Sequence, residues 1–192
     1  MTMSKERWKL SNDEYEFIKG EVVHVFQKYQ IHCVPVCGFE IAVKMGIKIV
    51  PYSTLSVQKR EEALSESGDG FVVEDNDGQE SIYYNDIERS YERQNWTILH
   101  EIGHIVLDHT GVGANKDKEE DEANFFAKYA IAPPVYVYRI GAKCVEDIYE
   151  AFDVTYEEAV YAFEYYKTWV DGYFIVGRLK YYEKVLWDMY SA

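Results

Sequence analysis

His100-Glu101-Ile102-Gly103-His104 is the stretch on which the reading of this chain turns. The segment around it, Tyr91 to His109, carries apolar residues at Trp96, Leu99, Ile102 and Val106, with the small Gly103 among them, which is helical spacing. On a helix, His100 and His104 stand one turn apart on one face. Two neutral imidazoles so placed can hold one Zn²⁺, and Glu101 beside them can take a proton from a water that the metal has acidified. A purely structural zinc site has no use for that glutamate. Glycine costs about 1 kcal/mol relative to alanine in a helix interior. A small residue at position 103 therefore predicts that another backbone packs close to the histidine-bearing turn.

A catalytic zinc takes three protein ligands and keeps one position open. The extended metzincin pattern would need glycine at 107 and histidine at 110, where this chain has Leu107 and Thr110. His109 lies about 140° round the wheel from His104 and is expected as a helix-end histidine favoured by the dipole. The remaining source is a carboxylate on a following helix. Glu119-Glu120-Asp121-Glu122-Ala123-Asn124-Phe125-Phe126-Ala127 opens one, with Ala123, Phe126, Ala127 and Ala130 on its inner stripe. Glu122 is next to that stripe and Glu119 lies one turn earlier. Spacing alone does not choose among the four acids.

Two blocks together resemble the ImmA/IrrE family of metallo-endopeptidases. One is Arg93-Gln94-Asn95-Trp96-Thr97-Ile98-Leu99-His100-Glu101-Ile102-Gly103-His104-Ile105-Val106-Leu107, and the other is Glu122-Ala123-Asn124-Phe125-Phe126-Ala127, closed by Pro133. The resemblance covers roughly residues 35 to 135. It implies a minimal, gluzincin-like zincin fold of the α+β class, with a small three-stranded sheet packed on helices and a helical C-terminal segment. It also implies one Zn²⁺ per chain and singles out Glu122, the glutamate heading the second block, as third ligand beside His100 and His104. The run Lys128, Ala130, Ile131, Ala132 is less bulky than the family pattern. The long sensor-like extension of the radiation-response members is not expected in this chain. The chain is similar instead to short members of prophages and mobile elements, which cut a helix-turn-helix repressor.

The composition, 47% hydrophobic and 16% aromatic, is that of a folded core. The expected division is a zincin-like domain over 1–134 and a helical extension over 135–192 packed on the same core. No apolar run follows the charges of Met1 to Trp8, and none approaches a membrane span, so a cytoplasmic setting is expected. Three cysteines, an odd number, read as reduced thiols, with Cys33 and Cys37 as small buried hydrophobes rather than a second metal site. A formal net charge of −14 repels phosphate, so direct binding of nucleic acid is not expected. The same field attracts a basic protein, which fits a basic helix-turn-helix repressor as substrate.

Along the chain, Ser11-Asn12-Asp13-Glu14 is a capping box that starts a helix with Ile18, Val22, Val25 and Phe26 on one side. A short helix from Phe39 to Met45 stops at Gly46, and Ile47 to Tyr52 alternates as a strand. Residues 53 to 70 read as a polar loop with a helical turn near Arg60. Asp77-Gly78 between Phe71-Val72-Val73 and Ser81-Ile82-Tyr83-Tyr84 signals a hairpin. In zincins the strand before the metal helix borders the cleft, which makes Ser81, Ile82, Tyr83 and Tyr84 the expected substrate edge. Gly111 to Lys118 reads as a flexible connection. Beyond Pro133-Pro134 come two helices, over 142–152 and after the capping box Thr155-Tyr156-Glu157-Glu158.

The chemistry expected is peptide hydrolysis with Glu101 as general base. An oxyanion-stabilising Tyr, His or Arg is also expected, though the many tyrosines leave it unassigned. Asp108, four residues past His104, could orient a metal ligand from behind, but reads first as a solvated helix-end acid. The competing expectation is a zinc-containing regulator that binds its partner stoichiometrically without cutting it, a role that gives Glu101 no chemical task. Manganese or iron could take the same ligands.

Overall fold

A computed structural model describes residues 10–32, 34–110, 115–176 and 178–190. Cys33, residues 111–114 of the expected 111–118 connection and Met1 to Trp8 lie outside the described residues, while residues 116–118 belong to a helix. The fold is mixed α+β. Helix α1 (Asn12–Tyr29) begins with the capping box read from sequence: the Glu14 amide donates to Ser11 Oγ, and the Ser11 amide donates back to the Glu14 carboxylate at 2.6 Å. Its inward face buries Ile18, Val22, Val23, Val25 and Phe26. Helix α2 (Gly38–Met45) ends at Gly46, which takes the left-handed conformation, φ 81°, that terminates helices.

Strand β1 (Lys48–Pro51) leads through a short 3₁₀ turn (Tyr52–Thr54) into α3 (Val57–Glu66). Here the sequence reading is corrected, because a regular helix of almost three turns replaces the expected loop. Ser56 caps it by accepting from the Lys59 amide, and Ala63 is its buried residue. A helix that buries so little has no apolar periodicity to read. Its signal is intrinsic propensity, in Gln, Lys, Arg, Glu, Ala and Leu behind a serine cap.

Strands β2 (Gly70–Glu74) and β3 (Glu80–Tyr84) form the expected hairpin, with Gly78 at φ 77° and the Asp75 carboxylate accepting from the amides of Asp77 and Gln79. Among the described residues the sheet has three strands in the order β1-β3-β2. β3 pairs in parallel with β1, Ile49 opposite Ile82, and antiparallel with β2, Val72 opposite Ile82. β3 is thus the central strand, and both of its hydrogen-bonding edges are occupied. This overturns the expectation that Ser81, Ile82, Tyr83 and Tyr84 receive a peptide. The outer edge on the cleft side belongs to β2.

Helix α4 (Tyr91–Val106) carries the histidine motif and is capped by Ser90. Helix α5 (Lys116–Ile131) packs along it. Contact is close at Gly103, where a Cβ would lie 3.1 Å from Cβ and Cγ of Phe126. What comes close there is the Phe126 side chain rather than the backbone expected from sequence, and glycine leaves it room. β2 approaches the other side of α4 closely enough that a Cβ on Gly70 would meet Thr97 Cγ2 at 2.7 Å. Pro134 occupies the first turn of α6 (Pro134–Arg139), where its missing N–H costs nothing. Helices α7 (Val145–Phe152), α8 (Tyr156–Val176) and α9 (Tyr181–Met189) complete the described chain. Ile148, Phe152, Ala159 and Leu186 join the same buried cluster as Phe26, Ile98, Ile102 and Phe126. No described helix is long and apolar enough to cross a membrane.

Candidate metal centre

His100 and His104 project from one face of α4, their rings edge to face at 4.7 Å between centroids and their Nε2 atoms 3.1 Å apart. Opposite them, α5 supplies Glu120, whose Oε2 is 3.5 Å from His100 Nε2 and whose Oε1 is 3.7 Å from His104 Nε2. Ligand atoms of these three residues all lie within 4.8 Å of one another. Zinc–nitrogen bonds of about 2.1 Å in a tetrahedral arrangement place ligand atoms about 3.4 Å apart. The donor set and its spacing therefore fit a tetrahedral divalent cation with one position left over.

The third carboxylate is not the one expected. Glu122 turns away from the histidine pair: its Oε2 lies 3.0 Å from His109 Nε2, and its Oε1 lies 3.5 Å from Lys118 Nζ. At about 100° per residue, Glu120 and Glu122 differ by about 200° round the helix, so only one of them can face α4. Glu119 is also elsewhere, accepting from Thr110 Oγ1 at 3.5 Å. A signal for Glu120 was present in the stripe itself. Continuing Ala127 and Ala123 back by three residues reaches Glu120, with Asn124 one turn beyond it lining the same cavity.

Electrostatics suit the arrangement. Burial, and then the charge of neighbouring His100, lower His104 to about 4, so its ring is neutral near pH 7 and has a lone pair to offer. Hydrogen bonding to His100 holds the Glu120 carboxyl below its ordinary value despite partial burial. Glu101 is only 7% exposed, and burial raises its carboxyl to about 7 against the attraction of His100. A group with that value exchanges a proton readily near neutrality.

Two adjoining cavities, about 350 and 440 Å³, open over the site, and Glu101, His104 and Glu120 border both. β2 forms one wall, through Gly70 and Phe71 in the first and Phe71, Val72 and Glu74 in the second. Asp69, just before β2, is tied to α4 and its approach by Arg93 Nη2 at 2.6 Å and Arg89 Nε at 2.5 Å. The Arg93 guanidinium lies 4.4 Å over Trp96, and Trp96 stacks on His100 at 5.1 Å. No tyrosine lines either cavity among the described residues; the cations there are Arg93 and Lys116. Asp108 is exposed, as expected. His109 is not: its side chain is 5% exposed and sits against His104.

Comparison with curated proteins gave no match. Comparison with protein families gave the IrrE N-terminal-like domain, peptidase family M78, over residues 52–164, more than half of the chain and reaching from the 3₁₀ turn into α8. The matched span contains the sheet hairpin, the histidine pair and Glu120. On that match, this chain belongs to the ImmA/IrrE family of metallopeptidases.

Proposed function

We propose that the protein is a zinc-dependent endopeptidase that cuts a basic helix-turn-helix repressor. The observation that carries the proposal is the convergence of His100 Nε2, His104 Nε2 and the Glu120 carboxylate beside the buried Glu101. His100, His104 and Glu120 would hold a divalent cation, zinc by default, which would supply Lewis-acid chemistry and acidify a water there. Glu101, buried beside them with its carboxyl raised to about 7, would take a proton at its carboxylate and return it to the leaving amine. The outer edge of β2, unpaired among the described residues, offers backbone partners for an extended peptide, and Gly70 to Glu74 run along the cavities that hold Glu101.

Charge supports a basic substrate. Glu66, Asp69, Glu74, Glu80 and Asp108 line the two cavities. Burial raises Glu80, and the neighbouring charges of Glu74 and Asp108 raise it further, as expected where acids gather along a cavity. The net charge of −14 extends that attraction outward. A cytoplasmic setting, where such repressors act, belongs to the same proposal.

The test is incubation of zinc-loaded protein with a tenfold excess of a basic helix-turn-helix repressor. The expected result is fragments exceeding one equivalent, abolished by chelator and by Glu101→Gln, with kcat/KM falling as salt rises. A stable one-to-one complex without fragments would contradict it and favour the stoichiometric regulator.

A further inference from the structure

We infer that His109 and Glu122 are positioning residues that fix the ring of His104 in the tautomer a metal needs. The inference rests on the metal reading above. His104 uses Nε2 toward His100 and Glu120, while its other nitrogen, Nδ1, faces His109 Nδ1 at 2.9 Å. His109 Nε2 in turn lies 3.0 Å from Glu122 Oε2. These contacts run in one line from the cluster into the groove between α4 and α5.

Proton bookkeeping admits one arrangement with both rings neutral. A carboxylate only accepts, so His109 Nε2 carries the hydrogen and donates to Glu122. His109 Nδ1 is then bare and can only accept, so the hydrogen between the two rings sits on His104 Nδ1. That leaves His104 Nε2 with a lone pair, aimed where His100 Nε2 and Glu120 converge. A ring at 104 with the other tautomer would aim an N–H at the cation instead. An anionic acceptor at the end of the line also makes the ligand nitrogen more basic, which strengthens a metal bond.

Beyond Glu122 the line continues through Lys118 Nζ, 3.5 Å from Glu122 Oε1 and 2.5 Å from Glu14 Oε1 in the capping box of α1. The line accounts for two observations that the metal ligands leave unexplained. One is the burial of the His109 side chain between the exposed Asp108 and Thr110. The other is the rotation of Glu122 away from the metal face. Among the described residues His100 has no counterpart: its Nδ1 is buried without a hydrogen-bond partner there, and its ring is held by stacking on Trp96.

The test measures zinc affinity by chelator competition, together with the visible spectrum of the Co²⁺ form and the melting temperature of the metal-free protein. The variants are His109→Leu, His109→Asn, Glu122→Ala and His100→Ala. Loss of an outer hydrogen-bond partner weakens metal binding about 10–100-fold, and that loss is expected in His109→Leu and Glu122→Ala, with an altered Co²⁺ spectrum. In His109→Asn, Oδ1 takes the place of Nδ1 and still accepts from His104. It is expected to stay within about threefold of wild type, a rescue that a packing role would not produce. Wild-type affinity in both His109→Leu and Glu122→Ala would overturn the inference, and so would an asparagine variant as weak as the leucine one. If His109→Leu does not fold, Glu122→Ala and His109→Asn decide alone. Failure of the underlying metal reading looks different: wild type itself would bind no zinc, or His100→Ala would bind it normally.

Discussion

The two histidines of α4 are one turn apart and chemically identical, yet the protein holds them by different means. On the N-terminal side, His100 lies against Trp96, which also carries the Arg93 guanidinium over its ring, and Asp69 anchors that arginine. On the C-terminal side, His104 is held through nitrogen-to-nitrogen and nitrogen-to-carboxylate contacts by His109 and Glu122. Stacking fixes the plane of a ring and leaves its tautomer free. A hydrogen-bonded line fixes both. The difference teaches that a symmetric sequence motif, His-Glu-x-x-His, is built into an asymmetric site, one ligand held by shape and the other by proton placement.

The substitution expected to do most is at the residue between the two sides. Glu101→Gln should keep stoichiometric zinc and lose roughly 10²–10⁴ of turnover, the usual contribution of a general base, measured as kcat on a cleavable repressor or peptide. Wild-type turnover in that variant would remove Glu101 from the chemistry.

A smaller effect sharpens the comparison itself. Trp96→Leu removes an aromatic pair worth about 0.5–1.5 kcal/mol beyond area, and should lower the melting temperature while reducing zinc affinity less than tenfold. If it weakened zinc as much as His109→Leu, the two sides would not differ in kind, and stacking would govern metal binding as strongly as the hydrogen-bonded line does.

Smallest is the far end of the line. The Lys118 ammonium, and then the amide and hydroxyl of Ser11, hold Glu14 at about 2, well below its ordinary 4.5. A depressed carboxyl stabilises the fold above its unfolded value and loses that contribution as pH falls toward the folded one. Melting curves of wild type and Glu14→Gln should therefore differ most above about pH 4.5 and converge between about 4.5 and about 2. A gap that persisted at pH 2 would show that the variant acts through something other than this ion pair.

Much of the fold was legible in the sequence, for local reasons. The helix around His100, both capping boxes and the Gly46 stop follow from periodicity and end chemistry, which neighbours do not alter. The polar α3 was not, since its burial rests on Ala63. Strand order was also hidden. Sequence places β3 nearest the metal helix, but the parallel pairing of β1 with β3 pushes β2 to the cleft. At the site, His100, Glu101 and His104 were legible because one helix turn fixes their relation. Glu120 depends on how α5 rolls against α4, which the contact of Gly103 with Phe126 decides and which a family pattern, read onto Glu122, did not convey. His109 escaped because a residue past the helix end does not follow the helix wheel: Asp108 turns to φ 55° and swings the imidazole back under His104.

The central claim, that Glu120 completes the metal centre while Glu122 stands behind His104, meets its most direct test in metal content. Wild type, Glu120→Ala and Glu122→Ala would be supplied with the same excess of zinc, desalted and measured by elemental mass spectrometry. About one zinc per chain is predicted for wild type and near none for Glu120→Ala. Glu122→Ala is predicted to fill when zinc is in excess and to empty faster against a chelator. Zinc retained in Glu120→Ala and absent from Glu122→Ala would contradict the account and return the third ligand to Glu122.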